Sequence, residues 1–169
     1  MCIVIDANTF SSVFEKNSSD HSDFRPVLEW ICNGKGKIVY GGTKYKEELS
    51  STRKYLRLFR QFDAARKIVK IDDQSVDNEQ NRLRSLIDHR NYDDPHIIAI
   101  IIVSGCKLIC SKDSKAYQYF KNKALYPKRF KRPRIYSNST NADLLCDTHI
   151  AECCKPTERT KDLNILLNS

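Results

Sequence analysis

The chain has no apolar stretch long enough to cross a bilayer. Its longest, Ile97 to Val103, falls far short of the roughly 20 residues that a spanning helix needs. The opening run Met1-Cys2-Ile3-Val4-Ile5-Asp6 has no positively charged leader and meets an acid at once. No secretory signal is therefore expected, and the chain reads as cytoplasmic, with no membrane partner. There is no internal repeat, no domain linker and no paired CxxC. The seven cysteines are Cys2, Cys32, Cys106, Cys110, Cys146, Cys153 and Cys154. Their odd number and scatter suggest reduced thiols and not a disulfide framework. Cys2, Cys106 and Cys110 lie in or beside apolar segments, where a thiol packs as a small hydrophobe. Cys146, His149, Cys153 and Cys154 are of ligand type, but their spacing matches no familiar zinc finger, and a structural zinc is not the favoured reading.

What is present is a soluble globular balance. The 169 residues are 40% hydrophobic and 30% charged, which points to one domain with an ordinary core. The formal net charge is +8, an electrostatic preference for polyanions that carries no information about fold.

Short β-branched runs alternate with helical patterns. Cys2 to Ile5, Lys37 to Tyr40, Ile68 to Ile71, Lys107 to Cys110 and Arg134 to Tyr136 read as strands. Helices are expected over 7–14, 24–32, from Thr43 as cap, from Ser51 or Thr52 to about Ala65, over 75–89, from Asp94-Pro95 to Gly105, and over 114–121. Strand–helix alternation of this kind predicts an α/β protein, a three-layer α/β/α sandwich around a central, mainly parallel sheet. The ordered unit is expected over residues 1–136. Residues 137–169 read as a C-terminal tail, either a short appendage or a fraying end.

Four acids fall at the ends of these elements: Asp6, Glu48, Asp94 and Asp113. In open α/β sheets the working crevice lies beyond the carboxyl ends of the strands, so four separate segments can aim carboxylates into one place. Like charges at close range are costly without a cation. Mg²⁺ or Mn²⁺ relieves that cost, because hard cations take oxygen ligands. Each acid also has a plainer explanation. Asp6 suits a turn, Asp94 before Pro95 suits an N-cap, Asp113 suits a loop, and Glu48 suits an exposed helix face beside Glu47. Their joint position is what favours the metal reading.

The segments Val4-Ile5-Asp6-Ala7-Asn8, Lys46-Glu47-Glu48-Leu49, Asp94-Pro95-His96-Ile97-Ile98-Ala99 and Leu108-Ile109-Cys110-Ser111-Lys112-Asp113 together resemble the PIN-domain nucleases over about residues 2 to 136. The resemblance implies metal-dependent cleavage of phosphodiester bonds, usually in RNA. Asp6, Glu48, Asp94 and Asp113 would then be the catalytic and metal-holding residues, supported by Asn8 and Ser111. It also implies an endoribonuclease of the kind found as the toxin of a toxin–antitoxin pair or as a phage-defence effector. Its partners would be RNA, an antitoxin or another inhibitory or effector-complex protein, and a second copy in a homodimer. The family's further acid shortly after the fourth position is missing, since Ser114, Lys115 and Ala116 follow Asp113.

Substrate contacts are expected from Lys112 and Lys115 beside Asp113, and from Lys128, Arg129, Lys131 and Arg132, with Arg134 close by. Phe130 and Tyr136 are available to stack on bases. A merely solvated basic loop is the plainer alternative. His96 is expected to be packed or hydrogen-bonded, and not a general base. Two other functions compete: a PIN-like module that binds RNA or protein without cutting, and a phosphatase with Asp6 as nucleophile. The second would want an acid at position 8, which is Asn8.

Overall fold

The computed structural model describes residues 2–87, 95–146 and 151–154. Among these residues five strands form one sheet: β1 (Cys2–Ile5), β2 (Lys37–Tyr40), β3 (Ile68–Lys70), β4 (Leu108–Cys110) and β5 (Arg134–Tyr136). Their order is β3-β2-β1-β4-β5, and every pairing is parallel. All four residues of β1 are buried, as a central parallel strand with both faces covered requires. Among the described residues, seven α-helices connect and cover the sheet: α1 (Phe10–Phe14), α2 (His21–Asn33), α3 (Thr43–Ser50), α4 (Arg53–Ala64), α5 (Asp73–Leu86), α6 (Pro95–Ser104) and α7 (Tyr117–Phe120). The protein is an α/β fold with helices on both faces of the sheet, a three-layer α/β/α arrangement.

The chain steps outward from β1 to β2 and β3, then returns to place β4 on the other side of β1. The direction of winding therefore reverses between β1 and β4. Right-handed crossovers then send the outward and return connections over opposite faces. Helix α6 is apolar nearly all round, with Ile97, Ile98, Ile100 and Ile101 fully buried. It packs on β1 and β2 and against α5.

Helix α3 is capped from outside its own segment. Thr43 is its first residue and not its cap, contrary to the sequence expectation; Gly42 holds that place at φ 84°. The Gly42 N–H donates to Asp73 Oδ1 at 2.9 Å, and the Thr43 N–H to Asp77 Oδ1 at 2.8 Å. Two acids of α5 thus satisfy donors at the positive end of α3. Tyr45, buried on α3, donates its hydroxyl to the Ile5 carbonyl at 2.6 Å. These bonds fix α3 beside the carboxyl end of β1.

Other boundaries differ from expectation. Helix α2 begins at His21 and absorbs part of the expected loop. Helix α5 starts at Asp73 and is capped by Asp72, which accepts from the Ser75 N–H. Helix α7 keeps only four residues of the helix expected over 114–121. Beyond β5 the described chain does not fray. Ser139–Leu144 forms a 3₁₀ turn, the Ser139 hydroxyl donates to Asp23 on α2, and Ala151 and Cys154 are buried.

Candidate active site

Asp6 leaves β1 with its N–H bonded to the Cys110 carbonyl of β4 at 2.9 Å. It caps the short 3₁₀ turn Ala7–Thr9, with Oδ1 accepting from the Asn8 N–H at 3.3 Å. Its other oxygen, Oδ2, accepts from the Ser111 hydroxyl at 2.8 Å. Asp6 is only 3% exposed and Ser111 is fully buried. The Ser111 oxygen also accepts from the Asp113 N–H at 3.2 Å, so one hydroxyl ties the exit of β1 to the exit of β4. The Tyr117 hydroxyl donates to the Ser111 carbonyl at 2.7 Å and braces the same turn. The Asp113 carboxylate accepts from the Lys115 N–H at 2.9 Å. This is the point where the strand order reverses, the usual ligand crevice of an open α/β sheet.

Across the crevice, Glu48 lies half-buried on α3 while its neighbour Glu47 is exposed. Glu48 Oε2 is 3.1 Å from His96 Nε2, and Oε1 is 3.8 Å from Lys44 Nζ. His96 is 1% exposed. It is packed and hydrogen-bonded, and its partner is Glu48, which joins the first turn of α6 to α3. Burial pushes the Tyr45 phenol well above its ordinary value, and the charges of Asp6 and Glu48 act in the same direction. Asp6, Asn8, Lys44, Glu47, Glu48 and Thr52 line a crevice of about 440 Å³.

Asp94, the remaining expected acid, lies outside the described residues, as do His89 and His149. Among the described residues, the oxygens of Asp6, Glu48 and Asp113 do not all come within 4.8 Å of one another. Direct ligation of one ion by all three is therefore not the arrangement seen. The donor set still suits Mg²⁺ or Mn²⁺. It is carboxylate oxygen throughout, and Mg²⁺ is commonly held by one or two carboxylates while keeping several waters.

The basic residues divide. The Lys112 ammonium bonds Ser12 Oγ at 2.9 Å and Asp20 Oδ2 at 3.3 Å, which ties α1 to the start of α2, while the residue stays exposed. Lys115, Lys128 and Arg129 are exposed. Lys131 and Arg132 line a groove of about 890 Å³ together with Lys121, Lys123, Arg134 and Phe130. Lys121 and Lys123 were not singled out in the sequence; only folding sets them opposite 131–134. Phe130 stacks on Tyr126, with ring centroids 5.4 Å apart. Tyr136 is fully buried and donates its hydroxyl to the Asp23 carbonyl, which removes it as a base-stacking platform. Tyr117 lines the groove and bonds the Ser111 carbonyl, so the groove reaches the turn that carries Asp113.

Comparison with protein-family models, with characterised proteins and with solved structures gives no match to this chain. No helix among the described residues is long and apolar enough to cross a membrane.

Proposed function

We infer that the protein is a metal-dependent nuclease of PIN type, an endoribonuclease whose acidic crevice receives a strand held in the neighbouring basic groove. The observation that supports this most directly is the Asp6–Ser111–Asp113 linkage at the reversal point of the sheet, with Asp6 and Glu48 lining one crevice. Asp6, Glu48 and Asp113, with Asp94 as the fourth acid, would hold Mg²⁺ or Mn²⁺. When bound, such a cation supplies an activated water and offsets charge at phosphorus. The chain's own part is positioning. Ser111 and the Asn8 N–H fix the Asp6 carboxylate, and His96 orients Glu48. Lys121, Lys131, Arg132 and Arg134 offer phosphate contacts that carry no sequence preference. Action as a toxin or phage-defence effector, restrained by an antitoxin or a similar partner, belongs to the same proposal, as do a homodimeric state and a cytoplasmic location.

One observation favours a second reading, a non-catalytic module that binds RNA or protein. Each described acid already has a partner within the protein: Ser111 for Asp6, His96 for Glu48, and the Lys115 N–H for Asp113. A cleavage assay on mixed RNA with and without Mn²⁺ separates the two. The nuclease reading expects metal-dependent products that vanish in Asp6→Asn and in Asp94→Asn, with circular dichroism unchanged. Tight RNA binding with no cleavage under any divalent cation would establish the module instead.

A further inference from the structure

At the opposite end of β1 from Asp6, three distant parts of the chain bring sulfur together. Cys2 opens β1 and is fully buried. Cys153 and Cys154 sit in a 3₁₀ turn of the C-terminal segment, Glu152–Cys154. The sulfurs of Cys2, Cys153 and Cys154 all lie within 4.8 Å of one another, and those of Cys153 and Cys154 are 3.6 Å apart. Cys106, also fully buried, lies just before β4, the strand beside β1. Its thiol donates to the Cys2 carbonyl oxygen at 3.2 Å. All of these cysteines are free.

We propose that Cys2, Cys153 and Cys154 form a structural site for a thiophilic dication, Zn²⁺ in the first instance, with Cys106, whose sulfur lies outside that 4.8 Å group, moving in as fourth ligand. Zinc holds thiolates at about 2.3 Å in a tetrahedron, which places pairs of sulfurs about 3.8 Å apart. The observed 3.6 Å between Cys153 and Cys154 is close to that spacing. The set is all sulfur, the donor that selects zinc over magnesium. It is also separate from the acidic crevice. Cys2 and Asp6 lie four residues apart on an extended strand, about 13 Å at strand rise.

A bound dication would take these sulfurs as thiolates and release their protons. The consequence is a staple that holds the C-terminal segment onto the amino ends of the two central strands.

The sequence alone pointed elsewhere. It grouped Cys153 and Cys154 with Cys146 and His149, and treated Cys2 and Cys106 as packing residues. Those two meet the C-terminal pair only because β1 and β4 are neighbours in the sheet.

The test uses the full-length reduced protein. Metal analysis after purification is expected to give about one equivalent of zinc. Titration of the metal-free protein with Co²⁺ is expected to saturate at the same ratio, with the intense visible bands and thiolate charge-transfer absorption of a tetrahedral sulfur site. The Cys153→Ser/Cys154→Ser double variant should lose the site, and Cys32→Ser, which alters an exposed cysteine outside it, should keep it. The absence of a saturable Co²⁺ signal in the unmutated protein overturns the proposal whether or not any variant folds. Full zinc content in the double variant overturns it too, as does a native mass showing these cysteines paired as disulfides.

Discussion

Ser111 donates its hydroxyl to Asp6 Oδ2 at 2.8 Å across the seam between the two central strands. The pair is separated by 105 positions in sequence, and both residues are buried. A buried carboxylate oxygen is tolerable only with a donor, and this hydroxyl supplies one.

Replacing Ser111 with Ala should therefore destabilise the fold by about 2 kcal/mol, the usual cost of stranding a buried polar partner. Urea denaturation of the two proteins measures it. The same change frees the Asp6 side chain to leave its orientation, so the proposed cleavage rate should fall as well. Unaltered stability would mean that water replaces the hydroxyl at no cost.

Asp77 caps α3 from α5 through the Thr43 N–H and hydroxyl. Asp77→Ala should cost about 1 kcal/mol, the typical value of a missing cap. Because Glu48 rides on α3, hydrogen exchange in that helix should quicken before the rest of the protein responds. Uniform exchange across the molecule would assign Asp77 no local role.

Asp20 is held down to about 2, chiefly by the Ser18 hydroxyl, with Ser12 and Lys112 assisting against the opposing effect of burial. Its folded value lies below the ordinary 3.8. The sign follows from linkage: the contribution is fully present above the ordinary value and disappears as pH falls through the folded one. The urea midpoint should drop between about pH 4 and pH 2, and Asp20→Asn should flatten that part of the profile. Parallel profiles for the two proteins would contradict it.

The groove lined by Lys121, Lys131, Arg132 and Arg134 makes a prediction about salt. Changing Lys131 and Arg132 to Gln should weaken binding of single-stranded RNA. It should also lower the slope of log affinity against log salt by about 0.7 for each phosphate that the variant no longer neutralises. Lys128→Gln, outside the groove lining, should do less. Equal effects from all three positions would point to a diffuse charge effect with no defined path.

The chain's local chemistry determined its five strands, the apolar character of α6, the α/β class, and the position of Asp6 and Asp113 just past strand ends. Such features follow from residue periodicity and turn chemistry over a few positions, which folding elsewhere does not alter. The structure turns Glu48 to His96 and leaves Glu47 exposed. Which strands become neighbours depends on long-range packing, and only the tertiary structure decided that β1 lies between β2 and β4. From that one adjacency come the Asp6–Ser111 bond at one end of the seam and the meeting of Cys2 with Cys106 at the other. The bonding of Lys112 to Ser12 and Asp20, and the capping of α3 by acids of α5, were likewise invisible beforehand. Each joins side chains whose spacing in sequence carries no information about their distance in space.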